Sequence, residues 1–220
     1  MRQYITEFIG TFFLLAGAAF GGAIGAALAL MVMIYAGGHI SGAHYNPAVT
    51  AAMYMRGKTP KSELPGYFIA QFLGAAVAAL LIKYLFDTSG VAGCDGFGEG
   101  IIKALFAEFL GTFALAYVVL NVATAKGTAG NSYFGLAIAA TVLGMAFLFG
   151  RFSGGVFNPA VGVGLAVQGS VCWQQLWLFF VAPLAGGILG AAVFKIVNED
   201  DEEMEIPEEP HLKIEDNAVH

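Results

Sequence analysis

Two asparagines stand where an apolar sequence offers few other groups able to do chemistry. Asn46 follows Ser41-Gly42-Ala43-His44-Tyr45 and opens Asn46-Pro47-Ala48-Val49. Asn158 follows Ser153-Gly154-Gly155-Val156-Phe157 and opens Asn158-Pro159-Ala160-Val161, 112 residues later. Asn is a favoured N-cap, because its side-chain oxygen accepts from free backbone N–H groups of the first turn. Pro fits the first helical position, where its missing N–H costs nothing. Each motif therefore predicts a helix start. The chemistry on offer is hydrogen bonding, not bond making: an amide NH2 beside the positive end of a helix dipole can donate to an oxygen that passes it. His39 and His44 have no Cys, Asp or Glu nearby in the sequence to complete a metal site. No nucleophile–base set stands out. The expectation is no catalytic residue, no metal, no cofactor and no enzyme.

The surroundings decide where these motifs sit. Of 220 residues, 58% are hydrophobic and 12% charged, and the mean hydropathy is +0.73. This is a membrane composition. The net charge of −6 is misleading, since ten of the 16 acidic residues lie in 198–220. That acidic, Pro-containing stretch reads as a solvated, disordered tail. No basic cluster suggests nucleic acid. Cys94 and Cys172 match no zinc or Cys-x-x-Cys spacing, and two unrelated thiols are expected rather than a disulfide. The N-terminus lacks a basic leader and a cleavage site, so it reads as a retained span.

Six spans are expected, over residues 4–20, 21–37, 66–86, 101–122, 133–149 and 176–197. The first two have almost no loop between them. One helix through both would be about 50 Å long against a hydrocarbon core of roughly 30 Å, so the chain is expected to turn near Gly21-Gly22. Gly17, Gly21 and Gly25 are spaced four apart, which lets helix backbones approach closely in lipid. Residues 38–46 and 150–158 are expected as re-entrant loops, with half-helices over 47–56 and 159–169. Irregular backbone at membrane depth is tolerated only when it is buried or lines a wet cavity.

Thr6-Glu7-Phe8-Ile9-Gly10-Thr11-Phe12 returns as Ala107-Glu108-Phe109-Leu110-Gly111-Thr112-Phe113, the glutamates 101 residues apart. The order span, span, half-helix, span occurs twice, over about 1–90 and 100–197. Three spans per half is odd, so the halves enter from opposite sides. That predicts an inverted repeat with its site near the midplane. Arg2, Arg56, Lys58, Lys61, Lys126, Lys195 and Lys213 then share one side, which positive-inside makes cytoplasmic for both termini. The clear loop cation opposite them is Arg151.

These motifs resemble the aquaporin and glycerol-facilitator family, the major intrinsic proteins. The residues that carry the likeness are Glu7, the run from Gly38-His39-Ile40 through Asn46-Pro47-Ala48 to Thr50, Ala70-Gln71-Phe72-Leu73-Gly74-Ala75, Glu108, and Ser153 through Ala160. The resemblance covers about 1–197, with 198–220 as an acidic cytoplasmic tail. It implies an all-α membrane protein of six transmembrane helices and two re-entrant half-helices, one pore per subunit, and a homotetramer in the plasma membrane. Asn46 and Asn158 would donate to the permeant at the pore centre. Backbone carbonyls of Gly42, Ala43, His44, Gly154, Gly155 and Val156 would accept along its wall. Glu7 and Glu108, ionisable groups within spans, are expected to hold the loops through backbone N–H groups rather than to relay protons.

Several positions depart from the family pattern, among them Gly162, where glycerol facilitators often carry Asp. Water-selective members and glycerol facilitators usually carry Arg directly after the second Asn-Pro-Ala, whereas this chain has Val161. Counting from the motifs places the other outer-filter positions at Ala26, Ala146 and Gly155. The expectation is a wide, apolar, uncharged constriction that passes water and small uncharged solutes of glycerol or urea size. Strict water selectivity is the alternative, and would need Arg151 or Phe152 to refill the filter. Two further alternatives are a junctional protein of little conductance and a coupled transporter, the latter resting only on Glu7 and Glu108.

Overall fold

The computed structural model describes residues 1–86 and 97–199. Its long elements are all helices: α1 (Arg2–Ser41), α2 (Pro47–Met55), α3 (Leu64–Phe86), α4 (Ile101–Thr124), α5 (Phe134–Ser153), α6 (Pro159–Gln168) and α7 (Leu178–Val197). Among the described residues there is no strand.

α1 is two spans in one run. Gly22 leaves helical geometry at φ 54°, ψ −139°, a region closed to residues with a Cβ. The chain reverses there, and the two arms cross at Gly17 and Gly25. A Cβ on Gly17 would lie 2.5 Å from the Gly25 carbonyl oxygen, and one on Gly25 would strike the Gly17 carbonyl. Gly21 has open space around it. The expected close approach therefore rests on two of the three glycines. Counting both arms of α1, with α3, α4, α5 and α7, six segments are long and apolar enough to cross a bilayer. Ile5, Phe13, Leu28, Val32, Leu73 and Phe106 are exposed on their outer surfaces, where lipid tails would replace water.

The second arm and α5 run further than the sequence suggested. They end at Ser41 and Ser153, not near residues 37 and 149, so the loops shrink to 42–46 and 154–158. The next residues, Gly42 (φ 81°) and Gly154 (φ 92°), close the helices as left-handed caps, and their N–H groups return to Gly38 and Gly150.

The two halves repeat the same packing contacts. The first arm of α1 packs on α3 as α4 packs on α7. At Gly74 an added Cβ would strike the Phe8 carbonyl, and at Gly186 the Phe109 carbonyl. The Tyr45 ring fills the space a Gly10 Cβ would take, and the Phe157 ring does so at Gly111. Both ends of the membrane region lie on one face, where Gln3 meets Glu63, Arg56 meets Thr124, and Asn198 meets Asn121. The Gly22 turn and the C-terminal ends of α3 and α6 lie on the opposite face, where Lys83 reaches Val167 and Phe20 packs on Phe86.

Candidate functional site

The half-helices α2 and α6 meet end to end at their N-caps. Asn46 Oδ1 accepts from Ala48 N at 2.9 Å, and Asn158 Oδ1 accepts from Ala160 N at 2.9 Å and Val161 N at 3.3 Å. Pro47 and Pro159 occupy the first turns as expected. The amide nitrogens cross over. Asn46 Nδ2 donates to the Phe157 carbonyl and Asn158 Nδ2 to the Tyr45 carbonyl, each at 2.9 Å. Each NH2 has two hydrogens, so one ties the halves together and the other is left for the cavity that both residues line.

Each loop hangs from a buried glutamate. Glu7 and Glu108 both have 0% exposure. Glu7 Oε1 accepts from Ser41 Oγ (2.7 Å) and His44 N (2.9 Å), and Oε2 from Tyr45 N (2.6 Å) and Gln71 Nε2 (2.8 Å). Glu108 Oε1 accepts from Ser153 Oγ (2.6 Å) and Val156 N (2.9 Å), and Oε2 from Phe157 N (2.6 Å). These bonds hold backbone that side chains otherwise avoid: Ala43, Tyr45 and Phe157 sit at φ 53°, 51° and 51°. Ala43 N and Gly155 N are taken by the Ser41 and Ser153 hydroxyls. With Gly42 and Gly154 capped, the N–H of every loop residue before each asparagine is spent inside the protein.

A cavity of about 880 Å³ passes this junction, lined from Gly22 and Ala23 at one end to Lys126 and Thr128 at the other. Gly42, Ala43, His44, Gly154, Gly155 and Val156 all line it, as do Ala26, Ala146 and Val161. The structure brings Ala146 and Gly155 into contact, since a Gly155 Cβ would lie 3.2 Å from Ala146 Cα and 3.3 Å from its Cβ. Arg151 and Phe152 are not among the lining residues. The Arg151 guanidinium sits 4.6 Å from the Phe152 ring centroid instead.

His44 is fixed by a polar chain that sequence reasoning left without roles. Thr50 Oγ1 donates to the Asn46 carbonyl (3.0 Å), accepts from Gln71 Nε2 (2.9 Å), and lies 3.1 Å from His44 Nδ1. Thr50 has one proton, so all three contacts are satisfied together only when Nδ1 carries the hydrogen. The His44 ring also packs at 4.9 Å on Tyr67, whose hydroxyl donates to the Ser41 carbonyl at 2.7 Å. The one sequence signal was Gln71 itself: an amide in an apolar span must find partners. Arg56 was also missed. It is buried, donates through Nε to Thr124 Oγ1, and lies 5.0 Å from the Phe194 ring. Cys172 is disulfide-bonded, which corrects the expectation of a free thiol there; Cys94 and the tail from 200 on lie outside the described residues.

The chain matches the family described as "Major intrinsic protein" over residues 1–194. It is 34% identical over 225 residues to "Aquaporin NIP1-2" of Arabidopsis thaliana, covering 91% of this chain and 76% of that protein. It is also 34% identical over 223 residues to "Glycerol uptake facilitator protein-like 6" of Lactiplantibacillus plantarum, covering 91% of this chain and all of that one. Its fold resembles the X-ray structure of the aquaglyceroporin from Plasmodium falciparum, with a TM-score of 0.74 at 22% identity, over 91% of this chain and 98% of that one. With the family matched over residues 1–194 and a relative 34% identical over 91% of this chain, and with two Asn-Pro-Ala helix starts facing one cavity, the chain is a member of the major intrinsic protein family of passive membrane channels.

Proposed function

We propose that this protein conducts water and small uncharged solutes of glycerol or urea size through the cavity, past a wide, apolar constriction formed by Ala26, Ala146, Gly155 and Val161. The observation that carries the reading is the lining: all four positions face the cavity, and none is bulky or charged. The names of the relatives, aquaporin and glycerol uptake facilitator, support the same solute range. At the centre, the free N–H of Asn46 and of Asn158 donate to the permeant oxygen. The positive ends of α2 and α6 oppose cations at the same point and orient water so that it cannot pass protons along a chain. The carbonyls of Gly42, Ala43, His44, Gly154 and Val156 take up the permeant's hydrogens on either side. A strictly water-selective pore needs a side chain to refill the constriction; the pairing of Arg151 with Phe152 argues against either serving.

In this reading residues 1–197 are the channel domain and 198–220 an acidic cytoplasmic tail. The protein assembles as a homotetramer in the plasma membrane with both termini in the cytoplasm. The test is osmotic: proteoliposomes carrying the protein re-swell under inward glycerol or urea gradients faster than protein-free vesicles. Re-swelling no faster than in protein-free vesicles, with rapid water flux intact, contradicts the proposal.

A further inference from the structure

The chain leaves the fold beside one mouth of the cavity. Asn198, the first residue after α7, donates through Nδ2 to Asn121 Oδ1 at 3.3 Å and to the Phe194 carbonyl at 3.1 Å. Asn121 lies in the last turn of α4, and its carbonyl accepts from Thr128 Oγ1. Phe194 lies against the Arg56 guanidinium, whose Nε donates to Thr124 Oγ1 at 3.3 Å. Thr124 and Thr128 both line the cavity. By either route, a few side chains separate Asn198 from the opening.

The face around that mouth is basic. Helices α2, α4 and α7 end there, with Arg56 capping α2, Lys126 just past α4 and Lys195 in the last turn of α7. The carbonyl ends of the helices attract one cation each, but the face carries more. Lys58 N returns to the carbonyl of Met53, a wall residue, and Lys61 is exposed just beyond it. Among the described residues, six Lys and Arg on this face meet two acids, Glu63 and Glu199, and Glu63 already accepts from Gln3. Lys126 is exposed on the rim and also lines the cavity. The sequence that follows is the complement. Residues 200–220, outside the described residues, contain nine Asp and Glu against one Lys, and five of the nine come at once: Asp200, Asp201, Glu202, Glu203 and Glu205. Fully extended, the chain from Asn198 to Glu205 reaches about 24 Å, ample for the short path to Lys126. The negative end of α7 repels this run, and the lysines around the mouth attract it.

We infer that the acidic run 200–205 seats on the rim formed by Lys58 and Lys126, so that the chain's own tail restrains entry at this mouth of the cavity. Lys126 belongs to both rim and wall, which puts the seated carboxylates at the opening. Exposed ion pairs are weak singly. Five acids tethered beside several cations add up, and the contact is reversible and sensitive to salt. This deepens the channel reading above and rests on it.

The test uses the full chain in neutral phosphatidylcholine vesicles. A carbodiimide condenses a carboxylate with a touching ammonium to an amide, the reagent taking up the water, and mass spectrometry locates the links. Links within one chain are expected between residues 200–205 and Lys58 or Lys126, and should be lost in about 1 M salt, which screens charges beyond about 3 Å. Osmotic water flux per channel is then compared with a full-length variant carrying Asp200→Asn, Asp201→Asn, Glu202→Gln, Glu203→Gln and Glu205→Gln together. Neutralising the run should raise flux about twofold or more, since a segment seated at least half the time at least halves conduction. No link from the run, links only between two chains, or equal flux from the two proteins overturns the inference while the channel stands. If phosphatidylserine in the vesicles changes the flux of both proteins alike, lipid headgroups occupy the rim and the inference falls. No flux in either protein removes the channel reading and the inference together.

Discussion

The two re-entrant loops share a scaffold and differ in what surrounds it. Both use a glutamate, a serine hydroxyl, a left-handed glycine cap, an Asn-Pro-Ala helix start and an aromatic ring stacked over glycine. Around the first, His44, Thr50, Tyr67 and Gln71 form a buried polar chain. The positions 112 residues later are Val156, Gly162, Phe179 and Pro183, all without a side-chain donor. There Phe179 fills the space instead: a Cβ on Gly162 would lie 2.8 Å from Phe179 Cβ. Inverted repetition keeps what shapes the backbone and frees the wall chemistry to diverge. Of that polar chain His44 reaches the cavity wall, where Val156 stands in the second half.

The sharpest way to break this comparison is to neutralise each glutamate. Both Glu7 oxygens hold two donors, so in Glu7→Gln either orientation of the amide turns its NH2 towards two donors. Glu108 Oε2 accepts from Phe157 N alone, so Glu108→Gln can sacrifice one bond. With hydrogen bonds to a charged group each contributing about 1.5–3 kcal/mol, Glu7→Gln should cost roughly twice as much as Glu108→Gln. Thermal unfolding in detergent measures this, and a larger shift for Glu108→Gln would refute the difference between the loops.

Smaller effects sharpen the same contrast. Gln71→Leu strips one donor from Glu7 and one from Thr50, leaving the first loop with the donor number of the second. A loss of about 1–3 kcal/mol is expected, again read from unfolding, and a neutral result would mean that the polar chain is ornamental. Gly162→Ala drives a methyl into Phe179 and should cost about 1–3 kcal/mol by overpacking; an unchanged unfolding temperature would show that the second loop is loosely filled. Arg151→Ala removes an exposed cation–π contact of at most about 1 kcal/mol and should leave glycerol flux as it was. A rise or fall in that flux would return Arg151 to the constriction.

The scaffold was legible because its parts are local. An Asn-Pro-Ala run announces a helix start, a glutamate in an apolar span announces a buried partner, and Gly17 and Gly25 announce a close crossing. The helix ends at Ser41 and Ser153 were not, since Gly38-His39-Ile40-Ser41 can extend a helix or leave it, and only the left-handed cap that follows decides. The crossed bonds from Asn46 to the Phe157 carbonyl and from Asn158 to the Tyr45 carbonyl join residues more than a hundred apart, and the acceptors are backbone, so no side chain signals them. The role of Gln71 needed three elements in place at once: α1, α2 and α3. The constriction positions came from counting along a family pattern. The structure puts all four on one cavity, and their action as a filter is what permeability must test.

The central claim is that an uncharged, open constriction at Val161 admits solutes larger than water. The most direct measurement is stopped-flow permeability of proteoliposomes to water, glycerol and urea, for wild type and Val161→Arg. The account predicts that wild type passes all three, and that the arginine cuts glycerol and urea flux at least tenfold while water flux persists. Wild-type flux confined to water, or glycerol and urea flux untouched by the arginine, would contradict it.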